Sequence, residues 1–125
     1  MTLTQAIISG FSFPDGVWAA FSDDEGRTWS KPETLSVGKR YVWGLRGVMD
    51  RNDNLHIIYV SSPEFLGIHG SKLFYHILPK GGKWSAPMEL VSTGVLSDCG
   101  ADIAVGKDGK VHIVWVNAER VPKGI

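Results

Sequence analysis

Residues 22–29 read Ser22-Asp23-Asp24-Glu25-Gly26-Arg27-Thr28-Trp29, and this stretch is built to turn a chain back on itself. Short Ser and Asp side chains accept hydrogen bonds from nearby amides in tight turns. Gly26 can take a positive φ that other residues resist. Trp29 can fold beneath the turn and bury a large apolar area. On the amino-terminal side, 16–21 (GVWAAF) is short, β-branched and aromatic. On the carboxy-terminal side, 28–35 reads as a second strand, interrupted by Pro32 in a way that suits a sheet edge. Two such runs about a compact turn predict a β-hairpin.

The same grammar continues outward. Strands are expected at 44–49, 55–60, 72–78, 84–91, 102–105 and 111–116, separated by the turn clusters DRNDN (50–54), KGGK (80–83) and KDGK (107–110). Few segments carry helical periodicity, so eight short strands predict an all-β antiparallel meander. The chain also repeats itself. WSKPETLS begins at Trp29 and returns as WSAPMELVS at Trp84; NLHIIYV begins at Asn54 and returns as KVHIVWV at Lys110. The two intervals differ by a single position. Two independent motifs recurring at nearly one period, with four strands in the period, point to a propeller blade. A blade cannot bury both faces alone and must stack on others.

With Ser22, Asp24, Gly26, Thr28 and Trp29 in the pattern S-x-D-x-G-x-T-W, residues 22–29 resemble the Asp-box, the bacterial neuraminidase repeat of sialidase-like β-propellers. Shifted by the interval that carries Trp29 onto Trp84, Gly26 maps to Gly81, but Ser22, Asp24 and Thr28 map to Ile77, Pro79 and Lys83, so the second copy is degenerate. The resemblance implies four-stranded antiparallel blades with the Asp-box in the hairpin between the third and fourth strands, away from the ligand, and a folding role for Asp24. It also implies a ring of about six blades. The 125 residues hold about two: strands C–D of one blade, a full blade at about 44–92, and strands A–B of another. Either the chain is a fragment of a longer propeller, or strands A–B of one copy pair with C–D of the next. In the second case residues 111–116 would meet 16–21 of a neighbour, and a homotrimer would complete six composite blades.

Antiparallel connectivity sends the A–B and C–D turns to one face and the other loops to the opposite face. Propellers usually bind ligands on that opposite face, so candidates are sought at 36–43, 61–71 and 92–99. Arg40 and Arg46, with Lys39, could hold a carboxylate; Tyr41, Trp43 and Phe65 could stack on a sugar ring; Asp98 and Asp102 could accept hydrogen bonds from hydroxyls. Arg46 and Asp102 also stand one repeat apart, and the alternative use for them is an ion pair between blades. His56 and His112 repeat at one strand position and read as packing residues, as does His76. His69 stands in a ligand-side loop. Cys99 reads as a small buried residue, with no His as its sequence neighbour.

Composition excludes several classes. Thirteen Lys and Arg balance thirteen Asp and Glu, with no basic block for nucleic acid. A lone cysteine permits neither an intrachain disulfide nor a cysteine metal cluster. No signal peptide and no apolar run long enough for a membrane is read, so a cytoplasmic location is the default expectation. No cofactor and no metal is expected. The sialidase resemblance would bring an arginine triad, a tyrosine nucleophile with a glutamate and an acid/base aspartate, but no Phe-Arg-Ile-Pro run exists and Tyr41 and Tyr59 have no evident glutamate partner, Glu64 included. The expected function is therefore a carbohydrate- or small-ligand-binding propeller module. The alternatives are a glycoside hydrolase fragment or subunit and a structural or protein-interaction ring.

Overall fold

A computed structural model describes residues 5–9, 16–36, 41–62, 71–91 and 101–116. They form nine strands in three antiparallel sheets, with no helix among them and so none to cross a membrane. The first sheet holds β1 (Gln5–Ser9), β2 (Gly16–Ser22) and β3 (Glu33–Ser36); the second β4 (Tyr41–Met49), β5 (Leu55–Ser62), β6 (Lys72–Leu78) and β7 (Met88–Val91); the third β8 (Ala101–Val105) and β9 (Val111–Trp115). Each strand pairs with its neighbour in sequence, so every sheet is a simple meander. The all-β antiparallel expectation holds.

The stretch at 22–29 closes the β2–β3 hairpin as its chemistry requires. Ser22 Oγ donates to Asp24 Oδ1 at 2.8 Å and accepts the Gly26 amide at 2.7 Å. Asp24 accepts from the amides of Arg27 and Thr28 at 3.1 and 2.8 Å and from the Thr28 hydroxyl at 2.5 Å. Gly26 has a φ of 86°, and its carbonyl takes the Trp29 indole N–H at 3.1 Å. Ser30 then locks the hairpin: its amide donates to the Phe21 carbonyl at 2.7 Å and its hydroxyl accepts the Phe21 amide at 2.9 Å. Ser85 repeats both bonds on Ile77, each at 2.9 Å. The second hairpin thus keeps the Ser after the tryptophan and a positive φ of 73° at Gly81, while dispensing with Ser22 and Asp24.

This locking shortens two strands relative to the sequence reading. The residues that follow each turn are spent closing it, and Pro32 and Pro87 bring no amide, so pairing resumes only at Glu33 and Met88. In the other direction β4 starts at Tyr41 and not at Gly44, because a bulge between Trp43 and Arg46 absorbs one extra residue and lets pairing continue past it. Gly44 sits in that bulge with a φ of 61°. The bulge reverses the facing of the side chains: Trp43 and Val48 pack toward the third sheet, Leu45 and Met49 toward the first.

β1 is an addition to the sequence reading. It pairs along one edge of β2, from Gln5 opposite Ser22 to Ser9 opposite Trp18, while β3 takes the other edge. β5 bears the same relation to β6, Leu55 lying opposite Leu78 and Tyr59 opposite Phe74. The first sheet therefore contains the counterparts of β5, β6 and β7, three strands where two were expected. With both edges of β2 occupied in this chain, 16–21 has no free edge for direct pairing with 111–116.

The sheets stack. Val17 and Ala19 of β2 pack on Val42, Leu55, Ile57, Tyr59 and Leu78 of the second sheet; Ile58, Val60 and Leu73, on its other face, pack on Ala101 and Ile103 of β8. Ile57 and Ile58 are adjacent, point to opposite faces and are both fully buried. Each of Ile57→Ala and Ile58→Ala is expected to cost roughly 2–5 kcal/mol in urea unfolding, since neither cavity has solvent beside it to fill it. A loss at only one of the two would mean that only one face of β5 is covered. Asp24→Ala is expected to lower the melting temperature by several degrees, because the amides and hydroxyls of the turn lose their shared acceptor.

Candidate functional site

The turns 22–29, 50–54, 79–84 and 106–110 lie at one end of the sheets, and the amino-terminal ends of β2, β4, β6 and β8 at the other. Of the sequence candidates, Arg40 and Asp98 fall outside the described residues, as do Lys39, Glu64, Phe65, His69 and Cys99. The structure places Tyr41, Trp43 and Arg46 on β4, the two aromatics toward the end away from the turns and Arg46 in mid-strand, opposite Ile58.

Tyr41 and Trp43 form a stacked pair, ring centroids 6.3 Å apart at 21°. Trp43 is half-buried and packs against the core between the second and third sheets. Arg46 emerges just past the Gly44 bulge and is exposed. Its Nη1 donates to the Leu45 carbonyl at 3.0 Å. Among the described residues no carboxylate forms an ion pair with it. Asp102 is exposed on β8, with Oδ1 accepting the Ile103 amide at 2.9 Å. Within the chain, Arg46 and Asp102 form no ion pair. An aromatic pair can take a planar ring face, and a guanidinium without an ion-pair partner on the same strand can take a carboxylate.

Two histidine networks are not legible as such in the sequence. His56 is buried with both ring nitrogens engaged: Nε2 faces Asp50 Oδ2 at 2.8 Å and Nδ1 faces the Tyr75 hydroxyl at 2.5 Å. A carboxylate can only accept, so Nε2–H donates to Asp50. Burial alone would raise the Asp50 pKa, but hydrogen bonds from His56, from Asn54 and from the Asn52 amide bring it down to about 2 from 3.8. Tyr75 is pushed up by burial and by the Asp50 charge, so it stays a phenol and makes a poor nucleophile. The arrangement fastens the 50–54 turn to β6. In the second network the Tyr59 hydroxyl donates to His76 Nε2 at 2.8 Å, and His76 Nδ1 donates to the Ser85 carbonyl at 3.1 Å. Burial lowers the His76 pKa, partly offset by that carbonyl. The signal for both networks is the placement of His56 and Tyr59 on one strand and Tyr75 and His76 on the next, but cross-strand register decides who meets whom.

At the turn end, a cleft of about 480 Å³ separates the 22–29 and 79–82 hairpins, bordered by Phe21, Trp29, Glu33, Leu78 and Gly82. Lys80 reaches Asp23 at 2.8 Å and Asp53 at 3.8 Å, tying the two hairpins together. The remaining candidates of this end behave as turn formers: Ser22 is buried, and Asp24 is held down to about 2 by the Thr28 hydroxyl and amide, Ser22 and the Arg27 amide. Among the described residues no group of three or more His, Cys, Asp and Glu could hold a metal ion. No protein-family model, no curated protein and no solved structure matches the chain.

The acid behaviour follows from the sign of these shifts. His76 titrates lower in the folded chain than in the unfolded one, so its contribution is complete above about pH 6.5 and is lost as the unfolded state takes up the proton below it. Asp50 titrates lower as well; its contribution is present above about pH 3.8 and is lost as the pH falls toward 2. Stability against pH is therefore expected to fall in two steps. In equilibrium unfolding, His76→Phe should flatten the first step and Asp50→Asn should reduce the second, which Asp24 shares, and steps that neither variant changes would refute the assignment.

Proposed function

We propose that the chain is a ligand-binding unit of a sialidase-like β-propeller of the Asp-box type, taking a carbohydrate or a similar small ligand at the end of the sheets opposite the 22–29 hairpin. The propeller reading is supported by the correspondence of the hairpins: Phe21–Ser30 and Ile77–Ser85 are closed by the same bonds, and the 50–54 and 106–110 turns by the same pair of amide–carbonyl bonds. The ligand reading is carried by one observation, the exposed Arg46 guanidinium on the strand that carries the Tyr41–Trp43 stack, with no carboxylate paired to it among the described residues. This favours an acidic saccharide or another carboxylated ring over a neutral one.

Binding is favoured over hydrolysis. The hydroxyls of Tyr59 and Tyr75 are both committed to histidine rings within the sheet. A glycosidase needs two carboxyl groups, or a tyrosine with its base, placed across one bond, and no such set converges among the described residues.

An array of sialylated, uronic-acid and neutral glycans tests the reading. Arg46→Ala is expected to weaken binding of the acidic members by about tenfold or more, the scale of a lost charge-assisted hydrogen bond, without altering the melting temperature. Equal binding by Arg46→Ala and the unaltered protein would sink the proposed site. A silent array would sink the carbohydrate reading itself.

A further inference from the structure

The stacking has a direction, and among the described residues no sheet lies over either of its ends. The first sheet presents Val17, Ala19 and Phe21 to the second. The second presents the matching positions Leu73 and Tyr75 to the third. The opposite face of each sheet receives the sheet before it. In the second sheet that receiving face carries Phe74 and Trp84, which pack on the core beneath the first sheet. Their counterparts in the first sheet are Trp18, opposite Ser9 and Thr34 as Phe74 is opposite Tyr59 and Glu89, and Trp29. No sheet of the described residues lies before them, and these two tryptophans are 36% and 39% exposed.

The other end shows the converse. On the second sheet Ile58 and Val60 are fully buried beneath the third. One repeat further along, the matching Val114 and Val116 are 65% and 45% exposed, and His112, the counterpart of buried His56, is exposed too. The inward face of the third sheet, with Ala101, Ile103 and Ile113, is already covered. The last sheet therefore offers a bare copy of the face that its predecessor buries, and the first sheet offers a bare copy of the face that receives it.

We infer that this surface binds a second copy of the chain, head to tail, with Val114 and Val116 of one copy against Trp18 and Trp29 of the next. One chain carries both halves of an interface that it makes internally twice, so the two surfaces are complementary in kind, and large apolar patches of this sort are seldom left in water. The contact is heterologous and closes into a ring if its rotation permits. It uses sheet faces, and so needs no edge of β2. It rests on the stacking and not on the ligand reading: an oligomer that binds no glycan leaves it standing.

Light scattering coupled to size exclusion at micromolar concentration tests it, with circular dichroism to confirm folding. The unaltered protein is expected at a discrete multiple of the single-chain mass. Val114→Asp blocks one half of the contact and Trp18→Asp the other, and each alone is expected at the single-chain mass. Mixed in equal amounts they retain one good half apiece and are expected to form a two-chain species. Should either aspartate variant fail to fold, Val116→Lys and Trp18→Ser make the same pairing test. A monomeric unaltered protein overturns the inference. So does an oligomer that survives both substitutions, or a mixture that stays monomeric while the unaltered protein assembles.

Discussion

Every residue of β5, from Leu55 to Ser62, is buried. A strand flanked by β4 and β6 in its own sheet can be buried on both faces only if a further sheet lies on either side. The first sheet supplies one cover and β8–β9 the other. Alternation then assigns Leu55, Ile57 and Tyr59 to one core and Ile58 and Val60 to the second. The Gly44 bulge follows from the same demand. Without the extra residue, Trp43 and Leu45 would share a face; with it, each reaches a different core, and Arg46 is left exposed beyond the bulge.

Polar groups inside this stack are tied up by their neighbours. His56 and His76 are buried but fully partnered, each joining a strand or turn to a tyrosine on the adjacent strand. These are low-dielectric contacts in which an unmet hydrogen bond would cost more than a met one gains. Burial holds the His76 pKa down, and the ring nitrogens of both histidines are spent on these partners, so groups that could form a proton relay act here as fasteners. At the surface, Lys80 bridges the hairpins of the first two sheets through Asp23, and Arg51 reaches the Lys107 carbonyl at 3.4 Å across the turns of the second and third. Exposed links of this kind add orientation more than stability.

The repeat is partly visible in the sequence because its turns and closing residues are local. The Ser that follows each tryptophan, the glycines with positive φ, and the Asp50–Asn54 and Gly106–Lys110 turns all act on residues within a few positions of themselves. β1 escapes that reading although Ala6-Ile7-Ile8 matches His56-Ile57-Ile58 and His112-Ile113-Val114, because it stands closer to the next copy than the other repeats stand to theirs. The β1–β2 connection is shorter than the β5–β6 one, and a fixed period misses a repeat whose loop changes length.

What the amino-acid sequence determined by itself was the short β-branched and aromatic runs, the positions of the tight turns and the all-β class. These depend on φ preferences, short polar side chains and the two faces of a strand. Tertiary structure alone decided that β2 has no free edge, that Tyr75 meets His56 and Tyr59 meets His76, that Arg46 stands clear of Asp102, and which tryptophan is covered. Trp29 and Trp84 occupy the same place after the same kind of turn, yet Trp84 packs against a core and Trp29 is open to solvent. The difference lies in whether a sheet stands in front of them, a property of the stack that no stretch of residues around either tryptophan encodes.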